Sequence, residues 1–150
     1  MKSDNNIYDT FNEVLVKLFN DIMHIEEKAI ITDEFKDISN NDMHIIEAIG
    51  INEPKNMSSV AKELSVTVGT LTIAINNLVK KGYVNRIRSD KDRRVVYISL
   101  SNKGRNAYNH HAEFHREMIK ATIEGLNGEE VSVLVKSLEN LVHFFKKWQK

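Results

Sequence analysis

The sequence predicts a mainly α-helical fold that carries a small β-wing, and three observations predict it. From Ser58 to Lys80, two short apolar periodicities of helical spacing are separated by a polar turn at Ser65, Val66 and Thr67. Tyr83–Arg88 and Arg94–Leu100 then have β-rich composition on either side of a charged tip, Asp90, Lys91 and Asp92. Long apolar stripes at helical spacing occupy both ends of the chain. The expected architecture is a winged helix-turn-helix whose N- and C-terminal helices form a dimerisation layer. It is expected as a single domain over 1–150, with the winged lobe at about 39–101 and dimerisation helices at about 5–31 and 102–148.

In order, Ile7, Phe11, Val14, Leu15, Leu18, Phe19, Ile22 and Ile25 mark a helix from about Ile7 to Ile31. TDEFKDIS is a connector with two apolar residues, Phe35 and Ile38, and Ser39 can cap a helix to about Ile49. Gly50 to Asn56 contains the only proline and reads as a loop. Ser58 or Ser59 can cap the third helix, with Val60, Ala61 and Leu64 inward. The fourth is expected to bury Val68, Leu71, Ile75, Leu78 and Val79, and Gly82 to end it. Ser101 can cap a fifth helix to about Glu124. After the break at Gly125–Gly128, a sixth begins near Glu129 with Val131, Leu134, Leu138, Leu141, Val142 and Phe145 on one face.

The chain is globular in composition, 41% hydrophobic with one proline and no cysteine. The absence of thiols excludes disulfides and thiolate zinc sites. The polar start, MKSDNNIYDTFNE, is unlike a signal peptide, and no apolar run approaches the roughly 20 residues of a membrane span, so a cytoplasmic protein is expected. Net charge is zero but unevenly placed. Lys55 to Arg105 holds eleven basic residues against Glu63, Asp90 and Asp92, a net of +8, and the remainder carries −8. A basic block in an otherwise acidic chain is the electrostatic footprint of a surface turned toward phosphate.

The outer face of the fourth helix offers Gly69, Thr70, Thr72, Asn76, Asn77 and Lys80, all small or hydrogen-bonding and none acidic. A helix entering the major groove needs such a face, because base edges present donors and acceptors while phosphates repel carboxylates. Ser58, Thr67 and Arg88 complete the expected contacts to double-stranded DNA. One recognition helix reads only a few base pairs, so a homodimer on a pseudo-palindrome is expected. Gly-rich phosphate loops, nucleophile elbows and paired catalytic carboxylates are missing from the sequence, and no enzyme is expected.

The order of elements, and the wing above all, resembles the MarR family of bacterial transcriptional regulators. The family's wing signature, Asp-x-Arg, five residues, Leu-Thr, reads here as Asp92-Arg93-Arg94, VVYIS, Leu100-Ser101, with serine for threonine. NLVKKGYVNRIRSDKDRR is also similar to the family's run from recognition helix into wing. The resemblance implies that Arg94 enters the minor groove and Asp92 holds its guanidinium. A narrow A·T groove concentrates negative potential in a way that suits arginine; the alternative is that Asp92 is a plain turn residue.

Within the family, IEEKAI, FKDIS, DMHIIEAIG and ELSVTVGTLTIAINNLVKKGYVNRIRSDKDRRVVYISLSNKGR resemble the branch that represses fatty-acid-synthesis genes. That likeness implies no required cofactor. The implied effector is an acyl chain on acyl carrier protein, lying among helices one, two and five against Phe19, Ile22, Ile25, Phe35, Met43, Ile46, Phe114 and Met118. Most of these are equally good core residues, and no carrier-protein docking patch is visible. His111 and His115 stand at i and i+4. A zinc-sensing branch is similar in placing a glutamate on helix one, a histidine on helix two and a histidine pair on helix five. That likeness implies an alternative set of Glu26, His44, His111 and His115 around zinc. The other reading of these histidines is a hydrogen-bonded cluster that holds helices together.

Overall fold

A computed structural model describes residues 2–30 and 34–149, with side chains from 6 to 29 and from 34 to 149. The elements are α1 (Lys2–Ile30), α2 (Asn40–Ile49), β1 (Lys55–Asn56), α3 (Met57–Glu63), α4 (Val68–Lys80), β2 (Val84–Arg88), β3 (Val96–Leu100), α5 (Asn102–Ile123) and α6 (Gly128–Lys146). The expected mainly α fold with a β-wing is what the chain adopts. The first helix starts earlier than expected, and its expected end at Ile31 lies outside the described residues. The chain divides into two compact units, one up to Glu113 and one from Phe114.

In the first unit, Ser39 caps α2 as expected. Its hydroxyl accepts from Asp42 N (3.1 Å) while Asp42 Oδ2 accepts from Ser39 N (3.1 Å), so two amides at the helix start are satisfied reciprocally. The third helix departs from expectation. Its cap is Asn56, whose Oδ1 accepts from Ser59 N at 2.7 Å, and Ser58 and Ser59 lie inside the helix. The cause is β1, which the sequence reading took for loop. Lys55 and Asn56 pair with Ile98 and Tyr97, so the chain passes straight from strand into helix. Asn56→Ala should therefore cost about 1 kcal/mol, whereas Ser58→Ala should be near neutral; urea unfolding of the two variants checks the assignment.

The turn between α3 and α4 closes by local bonding. Ser65, in the left-handed region at φ 56°, donates to Lys62 O, and Val66 N donates to Ala61 O. Thr67 caps α4 by accepting from Thr70 N at 3.1 Å. At the other end Gly82, at φ 85°, donates to Val79 O, and Tyr83 N donates to Leu78 O. This cap keeps Tyr83 out of the wing, so β2 starts at Val84. Strand β3 starts at Val96 instead of Arg94, because Arg94 belongs to the tip turn closed by Val95 N to Asp92 O. The sheet order is β1-β3-β2, antiparallel throughout, with Val84 opposite Leu100 and Arg88 opposite Val96.

One core holds this unit together. Phe35 and Ile38 of the connector, Met43, Ile46 and Ile49 of α2, Val60 and Ala61 of α3, Leu71, Ile75 and Leu78 of α4, Ile98 and Leu100 of β3, and Ala107 of α5 share it. Val68, expected inside, is 44% exposed, and Val79 is only half-buried. As the first residue of α4, Val68 lies beside the groove below the wing instead of above the core.

Tyr83 anchors the junction. Fully buried, it donates from its hydroxyl to Asp37 Oδ1 at 2.6 Å, and the Lys103 ammonium sits 4.4 Å from its ring centroid. The Tyr83 hydrogen bond, helped by Lys103, holds the Asp37 carboxyl below the usual carboxylate range, while burial and the same bond push the phenol up. A lowered carboxyl stabilises the fold above its unfolded pKa and loses that contribution as pH falls through the folded value. A raised phenol stabilises below its unfolded pKa and loses that contribution as pH rises. Tyr83→Phe should thus lower stability near neutral pH by about 1 kcal/mol and flatten both limbs of a stability–pH curve; identical limbs in variant and parent would refute the coupling.

In the second unit, Asn127 caps α6 through a reciprocal pair with Glu130, one residue before the expected start. Helix α6 has no buried residue, and Leu138, Val142 and Phe145 are all about half exposed.

Candidate nucleic-acid interface

Helix α4 is held to the core by Leu71, Ile75 and Leu78, which leaves the opposite stripe outward. Gly69, Ile73, Asn76 and Lys80 fall on that stripe at i, i+4, i+7 and i+11. Thr70 and Asn77, both exposed, flank it on one side and half-buried Thr72 on the other. Three of the expected contact hydroxyls have internal partners. Thr67 Oγ1 donates to Thr70 Oγ1 at 2.9 Å, and Thr72 Oγ1 donates to Val68 O at 2.7 Å. Each hydroxyl can still accept, and Thr67 also fixes the N-terminus of the recognition helix.

The wing places its charges by strand alternation. Arg86 and Arg88 share one face of β2, and both are exposed. At the tip, Asp92 grips Arg94 twice. Nε donates to Oδ1 at 3.1 Å and Nη2 to Oδ2 at 3.2 Å, while Arg94 N also donates to Oδ1. The Arg94 hydrogen bonds hold the Asp92 carboxyl below its ordinary range. A fork–fork pair fixes the guanidinium plane while the Arg94 side chain stays 91% exposed. This geometry pre-orders an exposed guanidinium at the wing tip. Between wing and helices runs a concave groove lined by Asn56, Met57, Ser58, Val68, Thr72, Arg86, Arg94, Val95 and Val96.

Two residues of this surface escaped the sequence reading. Ile73 is 68% exposed in the middle of the outward stripe, where an apolar side chain can meet a thymine methyl group. Its signal was its place nearly opposite Leu71, off the apolar face. Arg86 donates from Nη1 to Asn76 Oδ1, a bond from wing to recognition helix. Nothing in the local sequence shows that pairing.

The expected effector residues are scattered in character. Phe35, Met43 and Ile46 belong to the core, Phe19 and Ile25 are about half exposed on α1, and Ile22 is half-buried. Phe114 and Met118, in the second unit, are half-buried. Of the four residues drawn for zinc, Glu26 meets His111, which stands one turn before half-buried His115 on α5, whereas His44 does not join them. His44 is exposed and joins no candidate metal group among the described residues. At buried His111 its place is taken by Glu47, whose Oε1 lies 2.9 Å from Nε2, with Glu26 Oε1 at 3.3 Å. Both neighbours are carboxylates, so Nε2 stands between one acceptor on α1 and one on α2. His111 therefore ties α1 and α2 to α5.

A helix-turn-helix with an outward polar recognition face, followed by a wing with a braced arginine tip, defines a winged-helix regulator. Residues 26–111 match the model of the transcriptional regulator SarA/Rot family. The chain belongs to the MarR/SarA type of winged-helix transcriptional regulators. It is similar to Streptococcus pneumoniae FabT, crystallised in complex with DNA, at 43% identity and TM-score 0.84, over 94% of this chain and 99% of that one. It is also similar to the HTH-type transcriptional regulator PchR of Bacillus subtilis, 24% identical over 89% of this chain and 88% of PchR. The HTH-type transcriptional regulator SarZ of Staphylococcus epidermidis is 28% identical over 87% of this chain and 90% of SarZ. None of the described helices is long and apolar enough to cross a membrane.

Proposed function

We propose that this protein is a homodimeric repressor that binds a pseudo-palindromic operator in duplex DNA and controls fatty-acid-synthesis genes in response to acyl chains on acyl carrier protein. The observation that carries the DNA-binding part is the Asp92–Arg94 fork at an exposed wing tip, beside a recognition face without carboxylates. Gly69, Thr70, Thr72, Asn76, Asn77 and Lys80 are assigned to the major groove, and Ser58, Thr67 and Arg88 to nearby contacts. Pairing of two chains is supported by apolar residues left in solvent. Ile7, Phe11, Val14 and Leu18 recur at i, i+4, i+7 and i+11 on α1, each close to half exposed or more, and α6 exposes Leu138, Val142 and Phe145. Such stripes on a soluble chain mark interaction surfaces.

The link to fatty-acid genes rests on the likeness to FabT at 43% identity. An acyl chain against Phe19, Ile22, Ile25, Phe35, Met43, Ile46, Phe114 and Met118 would act by binding more tightly to one spacing of the two lobes. The spacing that fits DNA puts recognition helices about 34–36 Å apart. The test is a titration of promoter duplexes from the host's fatty-acid-synthesis genes with the full-length protein, with and without long-chain acyl carrier protein. Specific binding that falls steeply with salt, with a log–log slope of about −0.9 per neutralised phosphate, and an affinity changed by the acylated carrier are the expected results. A flat salt response would remove the DNA reading. Steep binding indifferent to the acylated carrier would remove the fatty-acid reading alone.

A further inference from the structure

The geometry points to Arg86 as a specificity-determining residue: by holding the carbonyl oxygen of Asn76 toward the wing, it biases the recognition helix's asparagine to read base edges through its amide donors. The inference deepens the proposed DNA-binding role and rests on it. An asparagine facing the major groove ordinarily reads adenine, giving an N–H to N7 and accepting from N6 in one bidentate contact. That contact needs both ends of the carboxamide. Here Arg86 Nη1, on β2, donates to Asn76 Oδ1, on α4. The chemistry of the pair decides which way the amide points. Guanidinium has five donors and no acceptor, so only the oxygen of Asn76 can face it.

Asn76 Nδ2 donates to no protein acceptor among the described residues, so both of its hydrogens remain for a base edge. Two donors, set beside an oxygen already turned to a guanidinium, suit an edge of acceptors best. Guanine offers O6 and N7 and thymine offers O4, whereas the N6 amino group of adenine and the N4 amino group of cytosine meet a donor with a donor. The wing is suited to hold this arrangement. Arg86 projects from a strand paired residue for residue with β3, where it faces Ile98, a fully buried core residue. The base of the guanidinium arm is therefore rigid. Asn76 is itself one residue past Ile75, fully buried in the same core. Both partners stand on regular elements, so the contact is built before DNA arrives.

The experiment is selection of duplexes from a randomised pool, at one fixed salt concentration, by the full-length native protein and by Asn76→Ala and Arg86→Ala, with circular dichroism to confirm folding. Asn76→Ala identifies the base position that Asn76 reads, as the one whose preference disappears. In the native protein that position should favour guanine or thymine over adenine by about tenfold. In Arg86→Ala the freed carboxamide can turn, and adenine should rise at least to parity at that position while other positions keep their preferences. Adenine preferred by the native protein overturns the inference, and this arm stands even where Arg86→Ala does not fold. Unchanged preference in a folded, DNA-binding Arg86→Ala also overturns it, as does the lack of any position that depends on Asn76. Selection of no sequence by the native protein overturns the DNA-binding role itself, and the inference with it. An altered preference at a single position cannot arise from a merely structural role of Arg86, which would weaken all sites alike.

Discussion

Gly104→Ala is expected to destabilise the protein by about 3 kcal/mol, the largest effect of any single methyl group in the winged unit. A Cβ at residue 104 would lie 2.1 Å from the backbone oxygen of Tyr83 and 3.1 Å from its carbonyl carbon, well inside contact distance. Neither side can give way cheaply. The Tyr83 carbonyl accepts from Ser101 N at 3.0 Å, and its amide closes the end of the recognition helix by donating to Leu78 O at 2.9 Å. On the other side, Gly104 N donates to Ser101 Oγ, the cap of α5. Relief of the clash would break one helix end or the other. Urea unfolding monitored by circular dichroism measures the loss, and a midpoint equal to the parent's would mean that α5 does not approach the Tyr83 backbone so closely.

Arg94→Ala is expected to weaken binding to a specific operator by roughly ten- to a hundredfold while leaving the fold intact, since the side chain is 91% exposed and outside the core. Two causes act together. The cation that would enter the groove is lost, and Asp92 is left as an unpaired carboxylate facing phosphate. Arg94→Lys should recover only part of the affinity, because an ammonium cannot take the two parallel bonds that Asp92 offers. Titrations of one duplex with the three proteins, at matched salt and with matched unfolding curves, check this. Equal affinities for parent and Arg94→Ala would take the wing tip out of the interface.

The legible part of the fold is the part that closes over a few residues. The cap at Ser39 and the stop at Gly82 each rest on bonds within five residues, and each was readable from local residue types. The wing's acid–arginine pair is separated by one residue, and it was the resemblance to the MarR wing that implied it. The errors share the opposite property. Val68 was placed inside because its spacing from Leu71 fits a helical stripe, yet where that stripe ends depends on what the first turn of α4 faces. The cap of α3 was assigned to Ser58 or Ser59 because β1 exists only through its pairing with Tyr97 and Ile98, some forty residues on. The likeness to a zinc-sensing branch groups His44 with His111, but one turn of α2 decides whether His44 or Glu47 reaches the imidazole, and it is Glu47.

By itself, then, the sequence determined the order of the helices and of the two wing strands, the basic block against an acidic remainder, and the polar outward face of α4, because periodicity, capping and charge are properties of neighbours along the chain. Only the tertiary structure decided that Arg86 meets Asn76 ten residues away, that Tyr83 reaches back to Asp37, and that His111 sits between two carboxylates. Those contacts join side chains from different elements, and their partners are selected by packing distance and orientation, which no local pattern encodes.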